Sequence, residues 1–184
     1  MNDLGHTTLK GISFEISAGE ILGMAGVSGN GQMELTEVLS GLRTTTQGTY
    51  QFEETVIKDP TVKEMIERGI GYIPEDRKKY GVSSGMSIAY NFLLRDFRNP
   101  EFCSLQLLKQ SNIFDYGQKK MEEFDIRAPS AKSRVGLLSG GNMQKVILAR
   151  EISRPLSLLL ASQPTRGLDI HATSFIREQI CRAR

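Results

Sequence analysis

The chain has 184 residues, 39% of them hydrophobic, and a formal net charge of +2 at pH 7. That length suits one domain with enough apolar content to bury a real core. The near-neutral balance gives no electrostatic reason to expect DNA, RNA or an acidic membrane surface as the main partner, and no apolar run approaches the ~18 residues that would cross a bilayer.

In chain order, Ile12, Phe14 and Ile16 alternate with polar residues, which predicts a half-exposed strand. Ala18-Gly19-Glu20 then turns the chain. Ile21-Leu22-Gly23-Met24-Ala25 is nearly all apolar, the pattern of a strand buried on both faces. It feeds Gly26-Val27-Ser28-Gly29-Asn30-Gly31-Gln32-Met33, and an amphipathic helix follows with Leu35, Val38 and Leu39, ended by Gly41. Strand, glycine loop and helix form the layout of a phosphate-binding P-loop, G-x-x-x-x-G-K-[ST]. Gly26 and Gly31 fall on the template glycines, and loop N–H groups suit phosphates. The next two positions depart from the template. Gln32 stands in place of Lys, so it offers a hydrogen bond but no charge. Met33 stands in place of Ser or Thr, and its soft thioether is a poor ligand for hard Mg²⁺.

Residues 44 to 58, with Tyr50, Phe52 and Val56, read as a turn and short antiparallel strands. Val62 to Arg68 predicts a short helix, and Gly69-Ile70-Gly71-Tyr72-Ile73 an apolar strand. That strand runs into Pro74-Glu75-Asp76-Arg77-Lys78-Lys79, which charge alone reads equally well as a solvated loop. Residues 86 to 137 hold most of the aromatics: Tyr90, Phe92, Phe97, Phe102, Phe114, Tyr116 and Phe124. Set among Leu93, Leu94, Leu105, Leu107, Leu108 and Met121, they predict helices packing a small core. With no basic stripe beside them, the rings do not read as a platform for stacking bases. Asn99-Pro100 breaks the first helix and Ala128-Pro129-Ser130 ends the last. Cys103 and Cys181 lie far apart without metal-ligand spacing and read as reduced thiols of a cytosolic protein.

Leu138-Ser139-Gly140-Gly141-Asn142-Met143-Gln144-Lys145 reads as a turn that opens a helix. Ser139 is a good N-cap type, and the two glycines let a phosphate or another backbone come close. Val146, Ile147, Ala149, Arg150 and Ile152 continue the helix with a period near 3.6. Its N-terminus, with free N–H groups and a partial positive charge, favours an anion. Leu156-Ser157-Leu158-Leu159-Leu160-Ala161 is a buried-strand pattern that ends in Ser162-Gln163-Pro164-Thr165-Arg166-Gly167-Leu168-Asp169. His171 begins the next helix and reads as a surface residue.

Gly-Val-x-Gly-Asn-Gly-Gln, Pro-Glu-Asp-Arg, Leu-Ser-Gly-Gly-Asn-x-Gln-Lys and Gln-Pro-Thr-Arg-Gly-Leu-Asp, in this order, resemble the motifs of the ATP-binding cassette (ABC) ATPases. Together they look like the second cassette of bacterial importer ATPases that carry two cassettes in one polypeptide, in the nucleoside-importing branch more than the ribose or galactose branch. The resemblance covers nearly the whole chain. It implies an α/β P-loop NTPase fold: a mixed sheet core, an antiparallel β subdomain, and a helical subdomain at approximately residues 86–137 where such cassettes dock onto transmembrane permease subunits. Residues 1–184 are then expected to be a single truncated cassette, since the chain starts just before a strand and stops at Arg184 inside an unfinished helical pattern.

In that family two cassettes face each other head to tail, and the signature of one closes over the γ-phosphate of ATP held by the other. The resemblance therefore implies a second cassette as partner. It places ATP contacts at Gly26, Val27, Ser28, Gly29, Asn30, Gly31, Gln32 and Met33, and at Glu75, which holds the position of a Gln that senses the γ-phosphate and Mg²⁺. It makes Ser139, Gly140 and Gly141 a signature acting in trans, and Leu168 and Asp169 the loop that touches the opposite cassette. Ser162 and Gln163 stand where the family has the Asp that holds Mg²⁺ through water and the catalytic Glu; neither carries charge, and an amide is no base. Neither His6 nor His171 fits the family's switch histidine.

Gln32, Met33, Ser162 and Gln163 all strike one chemistry, because phosphoryl transfer depends on positioning and charge stabilisation by such groups. The expectation is a cassette that does not hydrolyse ATP in its own site at a useful rate and holds no metal there, Mg²⁺ belonging to the full assembly. Its intact signature would complete a competent site on the partner and stabilise charge on the γ-phosphoryl group. The expected setting is the cytoplasmic side of the cell membrane, as a peripheral part of an importer of nucleosides or simple sugars. An extracellular substrate-binding protein is then an indirect partner, and nucleic acid is none. Two other readings stay open. One is a non-catalytic interaction cassette that presents only its signature and a docking surface. The other is a soluble ABC ATPase acting on DNA or ribosomes, against which stands the lack of a long coiled coil, zinc-binding Cys cluster or basic linker between residues 33 and 138.

Overall fold

The computed structural model describes residues 9–27 and 29–184. Helix α1 (Gln32–Leu39) follows the glycine loop directly. It ends in a Schellman motif: Gly41, at φ 77°, donates its N–H to Val38 O at 3.1 Å, and the Leu42 N–H donates to Glu37 O at 2.8 Å. Strands β1 (Tyr50–Phe52) and β2 (Thr55–Ile57) form an antiparallel hairpin with Tyr50 opposite Ile57. Helix α2 (Val62–Glu67) starts in a capping box, where the Thr61 hydroxyl accepts from the Glu64 N–H and the Glu64 carboxylate accepts from the Thr61 N–H at 2.8 Å. These elements lie where the sequence pattern puts them.

Strand β3 (Ile70–Ile73) leads into a π-type turn at Arg77–Gly81, so part of the charged run is helical rather than an open loop. Helix α3 (Ile88–Leu93) is followed by a small hairpin of β4 (Cys103–Ser104) and β5 (Leu107–Leu108), then by helix α4 (Gln110–Glu123). A 3₁₀ turn at Val135–Leu137 precedes helix α5 (Gly140–Ile152), strand β6 (Leu158–Ala161) and helix α6 (Ile170–Arg182). Strands β3 and β6 pair in parallel, Ile70 opposite Leu158 and Ile73 opposite Ala161. The main core lies where α3, α4, α5 and α6 meet, around Ile88, Phe92, Ile113, Val146, Ile147 and Ile176. Rings lock α3 to α4 edge-on: Tyr90 and Phe114 stand 5.9 Å apart, and Phe92 and Tyr116 6.4 Å apart. Gly117 on α4 allows the close approach, for a Cβ there would lie 2.6 Å from the Ala89 Cβ.

Beneath the ends of β3 and α5 lies a buried ion network. The Glu151 carboxylate, wholly buried, accepts from Arg95 Nη1 at 3.1 Å, from Arg150 Nε at 2.9 Å and from the Tyr72 N–H at 3.1 Å. Arg95 also donates to Ile70 O at 2.9 Å. The network fixes the segment after α3 against the sheet, and every charge in it finds a partner.

Three expectations need correction. The strands expected at 12–16 and 21–25 do not form: Ile21, Leu22 and Met24 stay 55%, 40% and 48% exposed, and Ile12, Phe14 and Ile16 are exposed too. A strand needs a neighbour's row of N–H and C=O groups, and no described segment pairs with Ile21–Ala25. Leu105, Leu107 and Leu108 do not pack a helical core. Leu105 at φ 48° and Gln106 at φ 65° form a two-residue hairpin loop with both residues left-handed, and Leu105 is 93% exposed at its tip. The flanking helices also stop early, α3 at Leu93 ahead of Asn99-Pro100, leaving Leu94 and Phe97 exposed, and α4 at Glu123, where Asp125 turns the chain at φ 46°.

Candidate functional site

The glycine loop is built by left-handed residues: Gly29 has φ 91° and Gly31 φ 99°, conformations that cost a side-chain-bearing residue. The Asn30 N–H donates to Val27 O at 3.2 Å, and Gln32 Nε2 donates to the same carbonyl at 3.2 Å. Gln32 therefore folds back over the start of the loop, and a Cβ on Gly26 would overlap its amide. Ser28 lies outside the described residues. Gly31 caps α1 without a side chain, so the first N–H groups of the helix face the loop unanswered by a cap. The Met33 side chain is exposed and its carbonyl accepts from Thr36 Oγ1 at 2.8 Å. Thr36 also brings α1 to the end of β6, its Oγ1 lying 3.4 Å from Ser162 Oγ. Ser162 extends the parallel ladder by donating its N–H to Ile73 O at 2.9 Å. Gln163 follows, exposed and left-handed at φ 45°.

The donors near this loop are an amide, a thioether and a hydroxyl. The Glu75 carboxylate is already paired with the Arg166 guanidinium. Such a set does not suit Mg²⁺, which wants one or two free carboxylates with octahedral geometry. Among the described residues no group of three or more His, Cys, Asp or Glu stands ready for a metal ion.

The second half of the predicted site is held far more tightly. Ser139 caps α5, its Oγ accepting from the Asn142 N–H at 3.4 Å and from Asn142 Nδ2 at 3.2 Å. Asn142 Oδ1 in turn accepts from the Arg127 N–H at 2.9 Å, which ties the turn to the chain after α4. The Gly140 carbonyl accepts from Arg77 Nη1 at 3.2 Å. Gly141 lies against α6: a Cβ there would sit 3.2 Å from the Ala172 Cβ. Asp169 caps α6, its Oδ1 accepting from the Ala172 N–H at 2.8 Å, and Leu168 packs against the main core. Ser139, Gly140, Gly141, Leu168 and Asp169 are thus brought together as two adjacent helix N-termini. Among the described residues no hydrogen bond or ion pair joins residues 26–33 to residues 139–145.

Further along α5 the buried Lys145 donates Nζ to Asp125 O and to Asp125 Oδ2, both at 2.7 Å, and stands 4.6 Å over the Phe175 ring of α6. The Lys145 hydrogen bond holds the Asp125 carboxyl below its usual range. Asn142, Lys145, Arg77 and Arg166 have structural roles that the sequence pattern does not announce, because their partners, backbone groups and the carboxylates of Asp125 and Glu75, are distant in the chain.

Residues 9–166 match the ABC transporter family. The chain is 39% identical over 180 residues to the guanosine import ATP-binding protein NupO of Bacillus subtilis (strain 168), covering 98% of this chain and 35% of that protein. It is 40% identical over 181 residues to the glucose import ATP-binding protein TsgD13 of Haloferax volcanii, covering 97% of this chain and 33% of that protein. It spans about a third of the length of the curated relatives it matches. Its fold is similar to that of the ATP-binding cassette MJ0796, solved as a dimer in a post-hydrolysis state bound to ADP and Pi, with a TM-score of 0.77 at 21% identity over 94% of this chain and 73% of that one. With the family pattern running from Leu9 to Arg166 through the glycine loop, the capped α5 turn and the end of β6, the chain belongs to the ABC transporter family.

Proposed function

We propose that this chain is an ATP-binding cassette of an importer for nucleosides or simple sugars, that its own site does not hydrolyse ATP, and that its signature completes the ATP site of a partner cassette. The observation that carries the reading is the contrast between the two half-sites. The signature turn is anchored through Ser139, Gly140 and Asn142, whereas the glycine loop has Gln32 and Met33 beside Ser162 and Gln163. A turn anchored in this way presents its N–H groups without reorganisation, which is what charge stabilisation in trans requires. An amide at position 163 takes no proton from water, and an uncharged position 32 leaves the β- and γ-phosphates unneutralised.

In this reading the loop backbone from Gly26 to Met33, Ser28 included, holds the phosphates of ATP, with Glu75 at the γ-phosphate position. Leu168 and Asp169 meet the partner cassette. Mg²⁺ serves the partner's site. Residues 86–137 dock onto transmembrane permease subunits at the cytoplasmic face of the membrane, and an extracellular binding protein delivers the substrate. The relatives NupO, a guanosine import protein, and TsgD13, a glucose import protein, support the import setting and the two substrate classes. Among the described residues no helix is long and apolar enough to cross a membrane.

Calorimetry of ATP binding to the chain, with and without Mg²⁺, tests the assignment of its own site. Binding of similar strength in both conditions is expected for a backbone cradle. Binding that needs Mg²⁺ would contradict it. No binding in either condition would leave the chain as a signature donor alone.

A further inference from the structure

Arg77 opens the π-type turn after Pro74-Glu75-Asp76, and the Asp76 carboxylate fixes that turn by accepting from the N–H groups of Lys78 and Lys79 at 3.0 Å each. Its guanidinium is forked between two carbonyls from distant parts of the chain. Nη1 donates to Gly140 O at 3.2 Å, and Nη2 donates to Arg166 O. The Arg166 guanidinium is itself taken up by Glu75. One short loop therefore grips the 163–169 segment twice, through backbone and side chain, and grips the first residue of α5 as well. A Cβ on Gly140 would lie 3.0 Å from Arg77 Nη1, so the fork lies close against the signature turn. Burial and the neighbouring Arg166 charge pull the Arg77 pKa down, yet a guanidinium starts high enough to stay charged.

We propose that Arg77 is a positioning residue that locks the signature turn to the 163–169 loop, so that Gly140-Gly141 and Leu168-Asp169 meet the partner cassette as one rigid surface. This rests on the reading of the signature as a donor in trans. A planar guanidinium carries its donors in a fixed fork and sets two carbonyls at a fixed separation, whereas a Lys ammonium is a point charge on a flexible stem. Displacement of a positioning group by about 1 Å costs about 10²-fold in rate.

The test uses Arg77→Ala and Arg77→Lys in the full chain, with two readouts. In hydrogen exchange on the chain alone, protection of the Met143, Arg166 and Leu168 amides is expected to fall about tenfold in both variants, while Tyr72 and Leu160 in the sheet keep theirs. Unchanged protection at the three amides overturns the proposal. So does loss of protection throughout in both variants, which would make Arg77 a residue of the fold. The second readout is ATP turnover by a partner cassette that has the Lys and Glu this chain lacks. Arg77→Ala is expected to lower kcat about ten- to a hundredfold with KM within about twofold, and Lys to recover little of it. A wild-type chain that fails to raise turnover sinks the trans reading and leaves the exchange result to decide the lock. Wild-type stimulation that Arg77→Ala leaves intact overturns the role of Arg77 alone.

Discussion

Gln32→Lys separates binding from hydrolysis in the glycine loop. Gln32 Nε2 already reaches over the loop to Val27 O at 3.2 Å, above a Gly26 that has no side chain to obstruct it. A Lys of similar reach replaces a neutral donor by a charged one. An anionic phosphate already makes the Gln bond charge-assisted, so Lys adds the attraction between two unit charges, about 1 kcal/mol at ~4 Å in water. That corresponds to roughly fivefold tighter ATP binding, since about 1.4 kcal/mol is tenfold. Open placement at the loop mouth argues against the larger Coulomb gain of a dry site. Calorimetry at fixed ionic strength should show Kd falling by that factor for ATP and less for AMP. Hydrolysis should stay at background, because Ser162 and Gln163 still lack charge and base. An unchanged Kd would refute the placement of ATP on this loop, and a gain of hydrolysis would refute the assignment of position 163 as the missing base.

The buried carboxylate of Glu151 holds two guanidiniums, so Glu151→Ala should destabilise by about 3–5 kcal/mol by leaving them unpaired, and Arg95→Leu combined with Glu151→Leu should recover only the part that belongs to Arg95, since Arg150 stays unpaired; urea unfolding checks both. Gly117→Ala places a Cβ 2.6 Å from the Ala89 Cβ, with no flexible side chain to give way, and should cost about 1–3 kcal/mol in the same assay. The Asp125 carboxyl is lowered from its ordinary value of 3.8, chiefly by the Lys145 hydrogen bond, so its contribution is present above that pH and lost as pH falls through the lowered value. The Tm difference between wild type and Asp125→Asn should therefore be constant from pH 7 to about 5 and shrink below pH 4; a difference that grows in acid would reverse the assigned sign.

Elements with a strong local signal were legible from sequence. Helix α5 follows from the Ser139 cap and the 3.6 period, α2 was expected at Val62 to Arg68, and β3 and β6 follow from short apolar runs. The hairpin at Leu105-Gln106 was not, since it has no Gly or Asn at the left-handed positions that usually announce such a loop. Ile21–Ala25 shows the converse: an apolar run states what a strand would bury but supplies no ladder partner. In the candidate site, the glycine spacing and the cap at Ser139 are local patterns and were readable. The forked contacts of Arg77 join residues 63 and 89 positions apart, which local patterning cannot reach.

The most direct test of the division of labour is ATP turnover by a partner cassette with intact Lys and Glu and a damaged signature, measured with and without this chain. Turnover should rise when the chain is added, persist when Gln163 is changed to Ala, and vanish when Gly141 is changed to Asp, which would bring a carboxylate against Asp169 and a side chain against Ala172. Stimulation that survives Gly141→Asp, or that disappears with Gln163→Ala, would contradict the account.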